Sequence, residues 1–100
     1  MITFEEVLEK SQPHPMGEGR MVRYETPHLT ISIVGGVSGL YGDFDETFEV
    51  ALIDKKSGDF ISDALYSEYC DSDGQIMPYI TREQMLKVVN ELMKEQVPAP

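Results

Sequence analysis

Two aspartates in the run 71–74 (DSDG) make the arrangement in this chain that comes closest to a metal site. Aligned on Gly74, the run matches the middle of a calcium-binding loop, in which alternate acids supply ligands and a glycine makes a sharp turn. The first loop position is then Tyr69 and the last is Ile80, where calcium requires an aspartate and a bidentate glutamate. Pro78 also stands where the exiting helix should begin. Because two charged ligands are missing, we interpret the run as a turn and predict no metal ion and no cofactor.

Paired carboxylates recur at Asp43 and Asp45, and such pairs could serve general acid–base chemistry. The chain holds 18 acidic residues, however, and solvated acidic loops have the same appearance in a sequence. We therefore predict no catalytic residue. A small metal-dependent enzyme that uses Asp71 and Asp73 is kept as an alternative hypothesis.

Cys70, His14 and His28 are the remaining groups that could act as a nucleophile, a base or a soft metal ligand. The acidic residues around Cys70 should raise the pKa of its thiol and suppress its nucleophilicity. The spacing of the three residues fits no known ligand pattern, so we interpret them as structural. A single cysteine also excludes an intrachain disulfide, which fits a reducing compartment.

The glycine-rich segment 35–42 (GGVSGLYG) follows a predicted strand but lacks both common phosphate-binding patterns. No helix is predicted to follow it, so no helix dipole would hold a phosphate. The whole connection, 35–45, is long and carries Leu40, Tyr41 and Phe44. Two interpretations remain open: an aromatic loop tip that inserts into a partner's pocket, or a segment whose Leu40 and Tyr41 fold back on the core.

Negative charge is concentrated in residues 43–73, which hold ten acids and two lysines, or −8 of the chain's −10. Aromatic residues are interleaved with these acids. Such a surface attracts basic proteins and repels nucleic acid and anionic membranes. The sequence therefore predicts a partner-binding surface made of Leu40, Tyr41, Asp43, Phe44, Asp45, Glu46, Glu49, Asp63, Glu68, Tyr69, Asp71 and Asp73.

Hydrophobic periodicity predicts an α+β fold in the order α-β-β-β-β-α: a four-stranded antiparallel sheet flanked by a short N-terminal helix and a longer C-terminal helix. Thr3 and Thr81 are expected to cap the two helices, each with a glutamate or glutamine three residues later. Alternating residues predict strands over 21–26, 28–34, 47–53 and 60–65.

Two acids on the predicted strands, Glu49 and Asp63, alternate with apolar residues. We therefore expect them on the solvent face of the sheet. Together with Asp54 and Asp59 at the predicted hairpin turn, they would form a continuous acidic face.

The length of 100 residues predicts one globular domain over 1–97 with a short tail over 98–100. The N terminus has no basic region followed by an apolar run, and no window is apolar enough to span a membrane. We expect a cytoplasmic protein.

Three runs of residues resemble small tailed-bacteriophage proteins of unassigned function: 31–36 (ISIVGG), 41–43 (YGD) and 47–52 (TFEVAL). The segment 80–86 (ITREQML) adds to this resemblance, which covers about half of the chain. The resemblance implies an infected bacterial cytoplasm and a non-enzymatic modulator of a host protein. It implies no functional residue.

The leading hypothesis is a small acidic module that occupies a basic surface of another protein, such as a host nucleic-acid-binding protein, and inhibits it. Two modes remain open, mimicry of nucleic acid or occupation of a smaller basic site, and in neither does the protein bind nucleic acid or membrane itself. The alternative from another class is a structural or virion accessory protein that self-assembles through a sheet edge or the C-terminal helix.

Overall fold

The computed structural model describes residues 1–13, 19–36, 42–61, 64–71 and 76–95. These ranges contain two α-helices, a short 3₁₀ helix and six strands. In chain order they are α1 (Phe4–Lys10), β1 (Gln12–Pro13), β2 (Arg20–Glu25), β3 (Leu29–Gly35), β4 (Thr47–Asp54), β5 (Phe60–Ile61), the 3₁₀ helix (Ala64–Tyr69), β6 (Ile76–Thr81) and α2 (Arg82–Glu95). Within the described ranges, no helix is both long and apolar enough to cross a membrane.

The predicted caps explain where both helices begin. At α1, Thr3 Oγ1 accepts a hydrogen bond from the Glu6 amide at 3.2 Å. At α2 the capping box is reciprocal: the Thr81 amide donates to Gln84 Oε1 at 2.9 Å, and the Gln84 amide donates to Thr81 Oγ1 at 3.1 Å. These bonds satisfy amides that have no partner inside a helix, so β6 passes directly into α2 without a loop.

All strands belong to one antiparallel sheet in the order β1-β2-β3-β4-β5, with β6 also paired to β4. Because β3 covers one edge of β4, β5 and β6 share the other: β5 pairs with Leu52 and Ile53, and β6 pairs with 47–51. The hairpin between β4 and β5 is confirmed, with the Asp54 amide donating to the Asp59 carbonyl at 2.9 Å.

The core lies on one face of the sheet, where both helices and the 3₁₀ helix pack. Fully buried Val88 and Val89 of α2 face this core, and burial of each large apolar side chain stabilises the fold by about 1.5–3 kcal/mol. The buried cluster consists of Val7, Val22, Tyr24, Ile31, Ile33, Phe44, Phe48, Val50, Leu52, Tyr66, Met77, Ile80, Met85, Val88, Val89 and Leu92. The α+β class is therefore confirmed.

The predicted number of four strands is wrong, because the described residues form six. The strand predicted over 60–65 ends at Ile61, and the chain then forms the 3₁₀ helix, whose Tyr66 is buried in the core. Two-residue β1 is too short to show alternation. Strand β6 was missed because Pro78 argues against a strand, although a proline is tolerated on a strand at the sheet's edge.

The described residues do not form the expected continuous acidic face, because alternation along β4 puts Glu49 and Asp54 on opposite sides of the strand, and the solvent face also carries Arg23. Strand register places Arg23, Ser32 and Ala51 in one row across β2, β3 and β4. Half-buried Glu49 lies in the next row, opposite Val34. Asp63 lies outside the described residues.

Candidate functional site

The loop before β4 is closed by the carboxylate of Asp43. Its Oδ1 accepts hydrogen bonds from the amides of Asp45, Glu46 and Thr47 at 2.9, 2.9 and 3.0 Å. These amides, with Thr47 first, stabilise the charged form and lower the pKa of Asp43 from its usual 3.8 to about 2. Asp43 is exposed, as the sequence prediction requires, but it also holds its own turn together.

Phe44 is a core residue, so the prediction that it contacts a partner is wrong. Its side chain is only 5% exposed and packs edge-on against Phe48, with ring centroids 5.3 Å apart. The close approach depends on Gly35, because a Cβ there would lie 2.8 Å from the Phe44 amide nitrogen. Phe44 itself has a φ of 59°, a conformation that L-residues rarely adopt. Leu40 and Tyr41 lie outside the described residues.

Asp45 is held by the first residue of α2. Arg82 donates through Nε and Nη2 to the Asp45 carbonyl at 3.1 and 2.9 Å, and Nη2 lies 3.1 Å from Asp45 Oδ1. The guanidinium also covers the Phe4 ring, with Cζ 3.8 Å from the ring centroid. Glu46 is exposed beside this contact, and its carbonyl accepts from the Arg82 amide at 3.2 Å.

A second group of predicted residues lies at the other end of β6. The Asp71 amide donates to the carbonyl of Ile76, the first residue of β6, at 2.8 Å. Glu68 is exposed, whereas Tyr69 is half-buried and stacks on Tyr66 at 6.2 Å between ring centroids. Tyr66 in turn donates to Glu91 Oε1 of α2 at 2.9 Å. Asp73 lies outside the described residues.

Sequence reasoning missed Tyr79, the exposed aromatic residue in the middle of β6. On β4, Phe48 pairs with Ile80 and Val50 pairs with Met77. A bulge in β6 therefore places two residues, Pro78 and Tyr79, opposite Glu49 alone. Tyr79 has a φ of 54° and is 61% exposed. The available signal was the break in alternation at Pro78, since strict alternation would put Tyr79 on the same face as buried Met77.

Strand β6 links the two acidic groups, and its six residues span about 17 Å. Glu46 lies beside its C-terminal end, Asp71 lies beside its N-terminal end, and Glu49 is opposite the bulge. The 3₁₀ helix also contacts β6. We use the name β6 surface for the exposed or half-exposed residues of this region: Asp45, Glu46, Glu49, Glu68, Asp71 and Tyr79.

Cys70 lies next to the β6 surface, and the nucleophilicity of its thiol is suppressed. Burial first, and then the Asp71 carboxylate, raise the pKa of the Cys70 thiol, as the sequence predicts. Its Sγ donates to the Tyr66 carbonyl at 3.5 Å.

Calcium-loop geometry is not reproduced after Asp71, because residues Ile76–Thr81 form a strand where that motif requires a helix. Among the residues that the structure describes, no three His, Cys, Asp or Glu side chains are grouped so as to hold a metal ion.

The comparisons with known proteins found no matching protein family, no matching curated protein and no matching solved structure. The phage resemblance therefore stays a prediction.

Proposed function

We propose that this protein is a small, non-enzymatic binding module whose β6 surface occupies a basic surface of another protein. The observation that carries the proposal is Tyr79, a large aromatic side chain that is 61% exposed on β6, the strand whose two ends lie beside Glu46 and Asp71. Exposed tyrosines are among the residues that dominate binding hot spots. A left-handed backbone at an exposed tyrosine costs about 1–2 kcal/mol, and such strain is concentrated at functional sites.

The acids around Tyr79 supply steering and specificity. Glu46, Glu49 and Asp71 lie along or beside β6, and the segment 43–73 that contains them carries −8 of the net charge. A field of one sign raises the rate of association with a partner of opposite charge, and it suppresses binding to acidic partners. The proposed partner is therefore a basic protein, and Tyr79 fills a pocket at the centre of the contact.

More specifically, the proposed partner is a nucleic-acid-binding protein of an infected bacterial host. Its basic groove normally receives phosphates, and the carboxylates of the β6 surface would replace them. The protein would then inhibit that partner by competition in the host cytoplasm.

The experiment is an affinity capture from bacterial lysate, followed by calorimetry with the purified captured protein at low and high salt. The site variant is Glu46→Lys with Glu68→Lys, which spares the structural contacts of Asp43 and Asp45. The matched control is Glu9→Lys with Asp59→Lys, at exposed positions on α1 and the β4–β5 turn. Each pair changes the net charge equally, from −10 to −6, since each substitution removes one negative and adds one positive charge.

We expect the site variant to weaken binding at least tenfold more than the control, on the order of the 1.4 kcal/mol that one decade represents. Equal loss in the two variants would mean that net charge alone drives the interaction. That result, or the absence of any basic partner at low salt, would contradict the proposal.

Tyr79→Gly tests the aromatic contact separately. Glycine adopts a positive φ readily, so relief of backbone strain should offset the loss of the tyrosine's own contacts, and the free energy of unfolding should change by less than about 1 kcal/mol while partner affinity falls. Chemical denaturation and calorimetry measure the two quantities. A loss of stability without a loss of affinity would assign Tyr79 a structural role only.

A further inference from the structure

The two outer edges of the sheet differ in how many backbone N–H and C=O groups can form hydrogen bonds with another strand. At β6 the Ile76 carbonyl accepts from the Asp71 amide at 2.8 Å, and the Thr81 amide donates to Gln84 Oε1 at 2.9 Å. Pro78 has no N–H, and the bulge bends the strand at Tyr79. Such features are those by which proteins block pairing at a sheet edge.

In the described part of the chain, the edge formed by β2 contains no proline and no bulge. Strand β1 pairs with Arg20 and Met21 alone, and within the described ranges no other strand lies on that side of β2. The remaining part of the edge, Val22–Glu25, therefore pairs with no other strand of the described residues, and α1 lies beside it with Lys10 Nζ 5.2 Å from the centroid of the Tyr24 ring. An edge of this kind is a template for pairing with a second chain.

The hairpin that joins β2 to β3 determines which residues face outward. The Thr26 amide donates to the Leu29 carbonyl at 2.8 Å, so these two residues form a hydrogen-bonded pair. Hydrogen-bonded and non-hydrogen-bonded pairs alternate along antiparallel strands. Tyr24 therefore directs its N–H and C=O toward β3, whereas Arg23 and Glu25 direct theirs away from the sheet.

We propose that the open edge of β2 binds a second copy of this chain, strand against strand and antiparallel, about a two-fold axis at Tyr24. In this register Arg23 lies opposite Glu25 of the second copy, and Glu25 lies opposite its Arg23. Each pair exchanges two backbone hydrogen bonds, which makes four across the interface. Each pair also brings opposite charges together on one face of the extended sheet.

The charges select this register from those that the backbone allows. Only residues that direct their N–H and C=O outward can form hydrogen-bonded pairs with the second copy. The two-fold axis can therefore pass through Arg23, through Tyr24 or through Glu25, but not between two residues. An axis at Arg23 sets arginine against arginine, and an axis at Glu25 sets glutamate against glutamate. Only the axis at Tyr24 pairs opposite charges, and like charges directly opposite are destabilising.

The net charge of −10 does not oppose this arrangement, because most of it lies elsewhere. Residues 1–42, which include β2, carry only −2, whereas β6 is separated from β2 by two strands, β3 and β4. The two β6 surfaces of a dimer would face outward on opposite sides. Their separation exceeds the Debye length of about 8 Å at physiological salt.

Sedimentation velocity of the full chain over roughly 10 µM to 1 mM, with reductant present so that Cys70 cannot crosslink, tests the pairing. The contact is small, so we expect a concentration-dependent dimer rather than a permanent one. Arg23→Glu and Glu25→Arg should each weaken dimerisation by about tenfold or more. The double variant carrying both changes restores opposite charges and should recover the dimer.

Arg23→Pro tests the backbone contribution, because it removes an N–H that points away from β3 and leaves the β2–β3 ladder intact. It should abolish dimerisation while circular dichroism and the melting temperature stay unchanged. Lys55→Ala is the control, since Lys55 Nζ lies 3.0 Å from Glu25 Oε2 within one copy and its loss should leave the dimer intact. A monomer at every concentration, or a dimer that the charge exchange does not affect, would overturn the proposal.

Discussion

A single carboxylate oxygen at Asp43 shows how a residue chosen for its charge can have a local structural role. Oδ1 of Asp43 accepts hydrogen bonds from three amides in the turn between the glycine-rich segment and β4. This turn places Phe44 in the core and Asp45 beside Arg82. Charge reversal at Asp43 would therefore disturb the fold as well as any partner contact.

The depressed pKa of Asp43 predicts a specific pH dependence of stability. A carboxyl group whose pKa is lowered on folding stabilises the folded protein above its unfolded pKa, near 3.8, and this contribution is lost as the pH falls to about 2. Asp43→Asn lacks this contribution. Urea denaturation should therefore find the variant less stable at pH 7, with a difference that shrinks between about pH 4 and pH 2.

A matched control for this pH series is Asp59→Asn, which changes an exposed acid in another turn. Asp43→Asn should be less stable than this control at pH 7, and that gap should narrow as the pH falls from about 4 to about 2. A constant gap would mean that the carboxylate charge of Asp43 does not stabilise the turn.

At the scale of elements, Arg82 joins three parts of the fold. It begins α2, stacks on Phe4 of α1 and donates two hydrogen bonds to the carbonyl of Asp45. The ion pair with the Asp45 carboxylate is largely exposed and is worth less than the stacking and the carbonyl contacts. The guanidinium thus positions the acidic loop relative to β6.

Arg82→Ala should lower the free energy of unfolding by about 1–2 kcal/mol, because it removes the stacking and both carbonyl contacts. Arg82→Lys keeps the charge but cannot donate through a planar fork, so it should retain less than half of that stability. Chemical denaturation measures both. Lys87→Ala, an exposed change on the same helix, should cost below about 0.5 kcal/mol, and an equal loss there would contradict the role of Arg82.

Capping residues predicted where both helices begin, and local periodicity predicted the three long strands to within one or two residues, because their buried faces repeat regularly. Strand β6 was not predicted, since Pro78 and the bulge at Tyr79 interrupt its alternation. The strand expected over 60–65 ends at Ile61, and Tyr66 is instead buried in the core. This burial is a tertiary contact, so the local pattern did not predict it. Of the candidate site residues, the structure exposes several acids but buries Phe44.

At the scale of the whole molecule, charge is distributed unevenly between the two edges of the sheet. The acidic segment 43–73 contains β4, β5 and the 3₁₀ helix, and Asp71 contacts the start of β6, whereas β2 carries Arg20 and Arg23. Under the two proposals above, one edge would meet a basic partner and the other would meet a copy of the same chain. Like charges concentrated on one side also repel each other within the folded state.

This repulsion predicts that salt stabilises the isolated protein. Raising sodium chloride from about 20 to 500 mM at pH 7 should increase the melting temperature by several degrees, because screening relieves repulsion that is stronger in the compact state. Differential scanning calorimetry measures the shift. The effect should shrink near the sequence pI of 4.4, and a melting temperature that falls with salt at pH 7 would contradict the prediction.

The sequence by itself determined the fold class, the two capped helices, the three long strands and the concentration of acid in 43–73, because periodicity, capping and charge are properties of neighbouring residues. Only the tertiary structure decided that Phe44 is buried, that Asp45 meets Arg82 and that Tyr79 is exposed. It also decided that Val22–Glu25 of β2 pair with β3 alone among the described strands, whereas a bulge interrupts β6. Each of these depends on contacts between segments far apart in the chain, which no local pattern records.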